Sequence, residues 1–518
     1  MAIANTTAQA PAASGTEPSY RSALSIVTTL FFMWGSLTSL NDVLIPYAQH
    51  VFNLRLAASM LIQTAFFSAY FVFSIPSAKI IDWIGYKRAI VVGLMTMVVA
   101  CLGFYPAAKI PSFPFFLAAL IVLATGITIL QVAANPYVAV LGRPQTASGR
   151  LTLTQAFNSL GTAVFPWVGA KVILGSSTAA IVQSTSAEAH AIIRLYVYFF
   201  AVALFMLAIG IGLSKLPEIK SAEHRIGEKV NDSVWKHPNL VYGAIGIFVY
   251  VGGEVAIGSS IANYLALDNI GGFAQSIADP AARYHAALSD AAQYISVYWL
   301  GAMIGRFLGA ALLKGVKAFQ MAIVLFCAVA LLGVSFVVPH QSWFLTAVSL
   351  LVNLRVLLVL CAVIACIVML VSRVRKGRVV VGGGPLLAIC AVMAAVLVIV
   401  SVLTSGPIAM WSILAVGLFN SIMFPCIFTM GIAELGPLTG DGSGILNMAI
   451  VGGAIIPWLV GKAGDFINRA YYPTMIQGET SWGQGIHYAL ILAMLCYLYI
   501  LFFAVSGSKP NSERYAKA

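Results

Sequence analysis

Residues 114–139 read PFFLAALIVLATGITILQVAANPYVA, a run of 26 residues without a charged side chain. A helix needs about 20 mostly apolar residues to cross the hydrocarbon core of a bilayer, so this run predicts a membrane-spanning helix. It nevertheless carries two carboxamides, Gln131 and Asn135, which lie one helical turn apart on one face. Polar groups at that depth are costly unless they face protein or water, so they indicate a pathway or a binding site.

The rest of the chain has a similar composition. Its 518 residues are 60% hydrophobic and 9% charged, and the mean hydropathy is +0.93, which excludes a soluble globular protein. All seven cysteines lie inside apolar segments, which predicts small buried side chains rather than disulfides or metal ligands. We predict an all-α membrane protein with spans near 24–46, 57–80, 89–107, 114–139, 151–174, 191–214, 239–267, 290–313, 385–404, 409–435, 443–461 and 486–506.

Basic side chains predict the orientation of these spans. With the N-terminus in the cytoplasm, Lys and Arg divide 20 against 7 between the two sides, and Arg306 and Arg355 fall within spans. Cytoplasmic loops of membrane proteins carry an excess of Lys and Arg, so we predict that both termini are cytoplasmic. The net charge of +12 therefore reflects membrane topology and does not indicate a nucleic-acid partner.

The charged segment 215–238 separates the spans into two sets of six. We predict a disordered cytoplasmic tail over 1–20, an N-terminal half over 21–214, a cytoplasmic linker over 215–238, a C-terminal half over 239–506 and a cytoplasmic tail over 507–518. Two further apolar runs, near 318–338 and 344–371, lie between the eighth and ninth spans. They predict a two-helix insertion at about 315–384, and hence 12–14 spans in all.

A short internal repeat relates the two halves. GTAVFPW at 161–167 matches GGAIIPW at 452–458, and each is followed shortly by Gly and Lys. Duplicated halves are typical of membrane transporters, in which the substrate lies between the halves near the midplane. The repeat therefore favours a transport function.

The loop after the second predicted span resembles the loop motif of the major facilitator superfamily. It reads AKIIDWIGYKR over 78–88, with Asp82, Gly85, Lys87 and Arg88 at the positions of the motif. Ala78 replaces the usual leading glycine, and Trp83 replaces a basic residue. Such a loop pairs its aspartate with basic groups or with a helix N-terminus on the cytoplasmic face, and we expect this contact to hold one conformation and to release it in another.

Longer motifs resemble the fucose–galactose–glucose:proton symporter family, and within it the bacterial glucose/galactose transporters. The family implies a fold of two six-helix halves and import of a hexose, driven by a proton gradient through alternating access. The motifs that carry this resemblance are LNDVLIP, TILQVAANPYVAVLG, RLTLTQAFNSLGT, GAIGIFVYVGGEVAIGS, GAMIGRFLG, AMWSILAVGLFNSIMFP and GSGILNMAIVGGAIIP.

The resemblance implies roles for residues of the N-terminal half. Asp42 matches the first-span aspartate that is implicated in proton coupling, while Asn158 and Gln155 match fifth-span positions that line the sugar pocket. Gln131 stands where the fucose transporters carry a glutamate, as in the glucose/galactose branch. Any coupling scheme that needs two carboxylates in this half is therefore in question.

The chemistry of a sugar explains this choice of residues. Amides supply donors and acceptors for hydroxyl groups without adding net charge, and aromatic rings pack on the apolar face of a pyranose. Trp34 is a suitable ring, although it fits an ordinary packing role as well. Asn135 is a further candidate sugar contact, with the alternative that it caps carbonyls freed by Pro136. From the C-terminal half, Asn420 and Asn447 are the corresponding candidates.

Coupling requires a group that gains and loses a proton as access changes. Burial disfavours the charged form of a carboxyl, so a carboxyl in a span can take up a proton from one side and release it to the other. Asp42 is our first candidate and Glu254 our second, with a structural hydrogen bond as the alternative for Glu254. We expect Arg306 to pair with a carboxylate or with backbone carbonyls near the cytoplasmic end of its helix.

Other functions fit the sequence less well. No metal cluster, nucleophile–base pair or phosphate-binding loop is evident, so we expect no enzyme activity and no cofactor. The expected partners are a monosaccharide, a proton or a sodium ion, and the lipid of a bacterial inner membrane, and we expect the protein to act as a monomer. A membrane sugar sensor without flux, sodium-coupled transport of N-acetylglucosamine, mannose or fructose, and a drug/proton antiporter are the alternatives, the last disfavoured by the paired amides.

Overall fold

The computed structural model describes a helical protein. The described residues are 21–51, 61–109, 112–141, 146–169, 193–214, 233–273, 275–277, 287, 291, 294–314, 316–317, 378–379, 382–471 and 484–510. Within these ranges, eight helical stretches are long and apolar enough to cross a membrane. Large apolar side chains such as Val99 and Met206 are exposed on the outer surface, as expected for contact with lipid. The predicted inserted helices and the predicted tail over 1–20 lie outside the described residues.

Within the described residues, the N-terminal half contains five α-helices and one π-helical segment. The α-helices are α1 (Arg21–Val51), α2 (Leu61–Lys109), α3 (Phe113–Val140), α4 (Ala147–Gly169) and α5 (Val202–Leu213), and a π-helical segment, Ile193–Ala201, leads into α5. In this half α1 packs against α4, and α2 packs against α3 and α5.

A break at Gly85 divides α2 into two crossings of the membrane. At about 1.5 Å per residue, its apolar stretch Thr64–Ala107 is about 66 Å long, roughly twice the thickness of a bilayer core. Gly85 has a non-helical backbone with φ 78°, a region that glycine adopts far more readily than other residues. The predicted spans 57–80 and 89–107 therefore correspond to the two parts of α2.

The C-terminal half begins after a short 3-10 turn, Val234–Lys236. Its long helices are α6 (Pro238–Leu265), α7 (Tyr294–Lys314) and α8 (Gly383–Leu403). Shorter helices follow: α9 (Gly406–Asn420), α10 (Met423–Gly431), α11 (Thr439–Met448), α12 (Gly452–Tyr471), α13 (Gly485–Ala489) and α14 (Ile491–Phe502), with 3-10 segments Gly436–Leu438 and Ala449–Val451 and a terminal π-helical segment, Phe503–Gly507.

Two very short strands lie where the predicted insertion begins and ends. β1 (Val316–Lys317) and β2 (Arg378–Val379) pair antiparallel, with Val316 opposite Val379. The chain thus returns after residue 377 to the point near the end of α7 from which it departed.

Matching glycines of the internal repeat make matching contacts in the two halves. A Cβ atom on Gly161 of α4 would overlap the backbone carbonyl oxygen of Phe32 in α1. A Cβ atom on Gly452, which begins α12, would overlap the carbonyl oxygen of Phe248 in α6. The repeat therefore marks equivalent close approaches between helices, α1 with α4 and α6 with α12.

Several pairs of helices join the two halves in the described part of the structure. α4 packs against α7, and α2 packs against α11, which also contacts α3. Along the second pair, Phe67 lies against Gly453, Ser74 against Gly444, and Asp82 against Gly440. Because the residue numbers run in opposite directions, α2 lies antiparallel to the segment containing α11 and the start of α12.

Candidate functional site

Three polar side chains from three helices of the N-terminal half form a buried group, here called the N-half cluster: Trp34 of α1, Tyr70 of α2 and Gln131 of α3. The Gln131 amide donates a 2.7 Å hydrogen bond to the Tyr70 hydroxyl. The Trp34 side chain also interacts with this hydroxyl. The structure thus brings together Trp34 and Gln131, which the sequence analysis selected as candidate sugar contacts. It does so around Tyr70, which the sequence analysis did not select.

Aromatic neighbours hold the N-half cluster in place. The Trp34 ring lies 5.0 Å from Phe31 and the Tyr70 ring 5.4 Å from Phe66, measured between ring centroids. A buried Tyr or Trp is normally oriented by packing of its apolar body while its polar tip seeks a partner. The cluster therefore holds an indole ring, a hydroxyl and an amide close together inside the N-terminal half.

Asn158 links α4 to α1. Its amide nitrogen donates a 3.0 Å hydrogen bond to the carbonyl oxygen of Phe31, three residues before Trp34. Asn158 also lies against Gly35, where any side chain would overlap it. Gln155 is buried on the same helix, one turn earlier. Asn158 thus fixes the position of the helix that carries Trp34. A direct contact between Asn158 and the sugar stays a prediction.

Asn135 is fully buried on α3, one turn after Gln131. Among the described residues, neither its amide oxygen nor its amide nitrogen has a hydrogen-bond partner, so the alternative of a carbonyl cap is not realised here. Leaving a buried polar atom unpaired costs about 1–3 kcal/mol. An amide in this situation is suited to receiving a polar ligand.

The C-terminal half contributes a chain of polar contacts. The Asn420 amide donates a 2.7 Å hydrogen bond to the Tyr298 hydroxyl, which in turn donates a 3.1 Å bond to the backbone carbonyl of Glu254. The amide oxygen of Asn420 has no hydrogen-bond partner within the described ranges. Tyr298 thus fixes the position of Asn420, and the amide oxygen of Asn420 remains available as a hydrogen-bond acceptor.

Asn447 lies where α11 meets the N-terminal half. Its amide nitrogen donates a 3.0 Å hydrogen bond to the backbone carbonyl of Ser443, and its amide oxygen has no hydrogen-bond partner in the part of the chain that the structure describes. The Ser443 hydroxyl donates a 2.9 Å bond across the halves to the carbonyl of Val132, the residue after Gln131. Asn447 and the pair Gln131 and Asn135 therefore lie on two helices, α11 and α3, that are directly hydrogen-bonded to each other.

Glu254 and Arg306 form an ion pair in the C-terminal half, with 3.9 Å between Glu254 Oε1 and Arg306 Nη2. Arg306 also donates a 3.2 Å hydrogen bond from Nε to the carbonyl of Ser421, and its Nη1 contacts the hydroxyl of Ser159 on α4. The expected pairing with a carboxylate and with a carbonyl is therefore present. Arg306 lies eight residues before the last residue of α7, Lys314, which is farther from the end of its helix than we expected.

Charged side chains join the halves at the predicted cytoplasmic face. Lys79 Nζ lies 2.8 Å from Asp441 Oδ1 of α11 and 3.6 Å from Asp82 Oδ2. Asp82 lies against Gly440, the second residue of α11, and thus at the N-terminus of that helix. The expected contacts of Asp82, with a basic group and with a helix N-terminus, are both present.

Further contacts surround this face. The Ser148 and Thr429 hydroxyls lie 2.6 Å apart across the halves, and Lys87 donates a 2.8 Å hydrogen bond to the carbonyl of Ser214 at the end of α5. Arg88 is exposed. The halves are therefore in contact at the predicted cytoplasmic face in this conformation.

Asp42 lies on α1, but its side chain is outside the described part of the structure.

Sequence reasoning missed Tyr70, Tyr298 and Ser159. A hydroxyl inside an apolar run, as in FSAYFVFS, was the available signal, but such residues are too frequent in membrane helices to be selected without contacts. Within the described ranges, no group of three or more His, Cys, Asp or Glu side chains comes together as a metal site.

Comparisons with known proteins agree with this architecture. A Brucella abortus protein named glucose/galactose transporter is 40% identical over 504 residues, which cover 96% of each chain. The L-fucose-proton symporter of Escherichia coli is 27% identical and covers 95% of this chain and 94% of its own. The crystal structure of the E. coli fucose:proton symporter matches with a TM-score of 0.68 and 24% identity, over 95% of this chain and all of that one.

The family model described as Major Facilitator Superfamily matches residues 26–382. This match covers more than half of the sequence, and the relatives align over nearly their full length. Together with the paired halves, these findings make the protein a multi-pass membrane protein, and the chain belongs to the major facilitator superfamily.

Proposed function

We propose that the chain imports a hexose of the glucose/galactose type together with protons by alternating access. The observation that carries this proposal is the similarity to the Brucella glucose/galactose transporter over 96% of both chains. The buried amides and the ion pair supply the chemistry that such a function needs. The named relatives are transporters, which agrees with the expectation that the protein is not an enzyme.

Sugar recognition is assigned first to the N-half cluster and Asn135. The Gln131 amide and the Tyr70 hydroxyl already share a hydrogen bond, so they present a fixed pair of polar groups. The Trp34 indole provides an apolar face, and the unpartnered Asn135 amide provides further donors and an acceptor. A hexose that binds here would satisfy groups that are unpaired in its absence, which favours a hydroxyl-rich ligand over an apolar drug.

Contacts from the other half complete the binding site in this proposal. The amide oxygens of Asn420 and Asn447 both lack partners and belong to the C-terminal half. Gln155 and Asn158 lie on α4, which packs on the C-terminal half through α7. Because the ligand is held by both halves, its binding favours conformations in which they approach each other.

Proton coupling is assigned to Asp42 and Glu254. Gln131 cannot titrate, and the fucose symporters carry a glutamate at that position according to the family resemblance. The N-terminal half then retains Asp42 as its carboxyl within a span, and Glu254 provides the second within the C-terminal half. Protonation of either group changes the net charge of the site by one unit. In this way sugar affinity is coupled to the proton gradient.

Alternating access requires the contacts at the predicted cytoplasmic face to break. Lys79–Asp441 and Ser148–Thr429 join the halves there, so release of sugar to the cytoplasm requires both to separate.

In this proposal both termini are cytoplasmic, and the membrane is the bacterial inner membrane. One chain forms a complete transport unit because both halves contribute to the site.

Uptake of labelled sugars in a transport-deficient bacterium tests the proposal. Cells that express the chain should accumulate glucose or galactose above the external concentration, and a protonophore should abolish the accumulation. Accumulation that depends on external sodium and survives the protonophore would indicate sodium coupling. Preference for mannose, fructose or N-acetylglucosamine would change the substrate, and sugar binding without counterflow in proteoliposomes would indicate a sensor.

A further inference from the structure

We infer that Arg306 transmits the protonation state of Glu254 to the contact between the two halves. This inference rests on the proposed function, because it assigns a positioning residue to the coupling step. Arg306 lies about 12 Å along the helix axis from Lys314 at the end of α7, which is more than two helical turns from that end. Its side chain is 13% exposed and that of Glu254 is 9% exposed.

The guanidinium group of Arg306 has partners on three separate parts of the chain. Nη2 faces the Glu254 carboxylate of α6, and Nε bonds the carbonyl of Ser421 between α9 and α10. Nη1 contacts the Ser159 hydroxyl on α4, which belongs to the opposite half. A planar guanidinium with five donors can serve several acceptors at fixed angles, whereas a lysine ammonium lacks this geometry.

The contact with Glu254 is the loosest of the three. At 3.9 Å it exceeds normal hydrogen-bond length, and Glu254 Oε1 has no hydrogen-bond partner. Arg306 and the hydroxyls of Tyr250, Tyr298 and Tyr497 are the titratable and charged groups placed against Glu254 among the described residues. Tyrosine hydroxyls stay neutral near pH 7 and arginine stays charged, so Glu254 is the member of this group whose charge can change.

Two positions of the guanidinium follow from this geometry. A charged Glu254 attracts Arg306 toward α6 and weakens its contact with Ser159. When Glu254 is neutral, the positively charged Arg306 interacts mainly with the Ser159 hydroxyl and the Ser421 carbonyl. This strengthens the contact between the halves. Protonation of Glu254 therefore favours the association of α4 with α7, and loss of the proton favours their separation.

Ser159 connects this movement to the candidate sugar site. Its hydroxyl donates a 3.0 Å hydrogen bond to the backbone carbonyl of Gln155, and it directly follows Asn158. A change at Ser159 thus acts on the helix that carries two candidate sugar contacts. This linkage provides the differential affinity that coupling requires, because sugar and proton then favour the same arrangement of the halves.

A charge-balanced double variant separates coupling from stability. Glu254→Gln or Arg306→Gln alone leaves an unpaired buried charge or partner, which is strongly destabilising. Glu254→Gln with Arg306→Gln removes both charges at once. In proteoliposomes we expect the double variant to lose at least tenfold in proton-driven accumulation, while sugar counterflow falls by no more than threefold and becomes less dependent on pH than in the parent.

Two results with the double variant would overturn the inference. Accumulation at the level of the parent would make the pair a structural contact only. Loss of counterflow from a monodisperse, folded double variant would place the pair in sugar passage itself. If the parent fails to accumulate any hexose in response to a proton gradient, the proposed function fails, whatever the variants do.

Ser159→Ala provides a second test if the double variant does not fold. It removes the contact across the halves without disturbing either charge. We expect a fivefold or larger loss of accumulation and a smaller loss of counterflow. Thr162→Ala is the matched control, because Thr162 donates its hydroxyl to the Ser159 backbone carbonyl on the same helix. Equal accumulation by Ser159→Ala, Thr162→Ala and the parent would overturn the inference.

Discussion

Lys79 and Asp441 are 362 residues apart in sequence, yet Lys79 Nζ lies 2.8 Å from Asp441 Oδ1 at the interface between the halves. Their side chains are 51% and 28% exposed, so the pair contributes about 0.2–1 kcal/mol, as expected for an exposed ion pair. We therefore interpret it as a contact that biases the conformational equilibrium without locking it. A cycling transporter requires such a weak contact, because a deeply stabilised closed state would slow every turnover.

Neutralising this pair should favour opening of the predicted cytoplasmic face. We expect Asp441→Asn to increase the open population by up to about fivefold, since the loss of about 1 kcal/mol changes an equilibrium by that factor. The labelling rate of a cysteine introduced at Ser148, which lies against Thr429 across the interface, measures this opening. The same protein without the introduced cysteine corrects for native thiols.

Asp465→Asn is the matched control for the cysteine experiment, because it makes the same acid-to-amide change on α12. It should leave the labelling rate unchanged. If Asp441→Asn and Lys79→Gln also leave the rate unchanged, the ion pair does not bias access.

Removal of the Tyr70 hydroxyl should weaken sugar binding. Tyr70→Phe deletes the acceptor of the Gln131 amide and the group that Trp34 contacts, and an unsatisfied buried donor costs about 1–3 kcal/mol. We expect the half-saturating sugar concentration in counterflow to rise about tenfold. Tyr198→Phe, at a position 64% exposed, is the matched control. Unchanged saturation in Tyr70→Phe would remove the N-half cluster from the binding site.

The repeated glycines predict a stability difference that is independent of transport. Gly452→Ala would place a methyl group against the carbonyl of Phe248, and overpacking of this kind costs about 1–3 kcal/mol. We expect a lower midpoint of thermal unfolding for the detergent-solubilised protein. Gly210→Ala on α5 meets nothing within 4 Å and should raise the midpoint slightly, because alanine favours helix over glycine. Equal midpoints for both variants would contradict the close packing of α6 and α12.

Asp42→Asn should separate sugar exchange from sugar accumulation. The amide cannot take up a proton, so we expect uphill uptake to be abolished while some counterflow survives. Asp268→Asn, at an exposed position after α6, tests whether the loss of any acidic side chain has this effect. Equal accumulation by Asp42→Asn and the parent would exclude Asp42 from proton coupling.

The helices and their polar faces could be predicted from sequence because both depend on local patterns. The run around Gln131 and Asn135 is apolar for longer than a membrane is thick, and its amides repeat at the helical period. The match between the motifs at Gly161 and Gly452 predicted equivalent halves, and the structure shows equivalent helix contacts at these glycines. The break in α2 also fell in the loop motif that contains Gly85.

The contacts between distant segments could not be predicted in the same way. Neither the pairing of Lys79 with Asp441 nor that of Arg306 with Ser159 has a signal in local composition, since each depends on how the two halves approach. In the sequence, Tyr70 is one of several aromatic residues in an apolar run. Only the tertiary structure shows that it lies beside Gln131. Sequence thus identified candidate groups, and tertiary packing determined which of them meet.

The proposed proton–sugar coupling is tested most directly by the pH inside proteoliposomes that contain only this protein. With no initial ion gradient, a hexose added outside should lower the luminal pH, because each sugar that enters brings a proton with it. A protonophore should abolish this acidification, and Asp42→Asn should lack it. Hexose entry without a change in luminal pH, or no entry of any hexose, would contradict the proposed function.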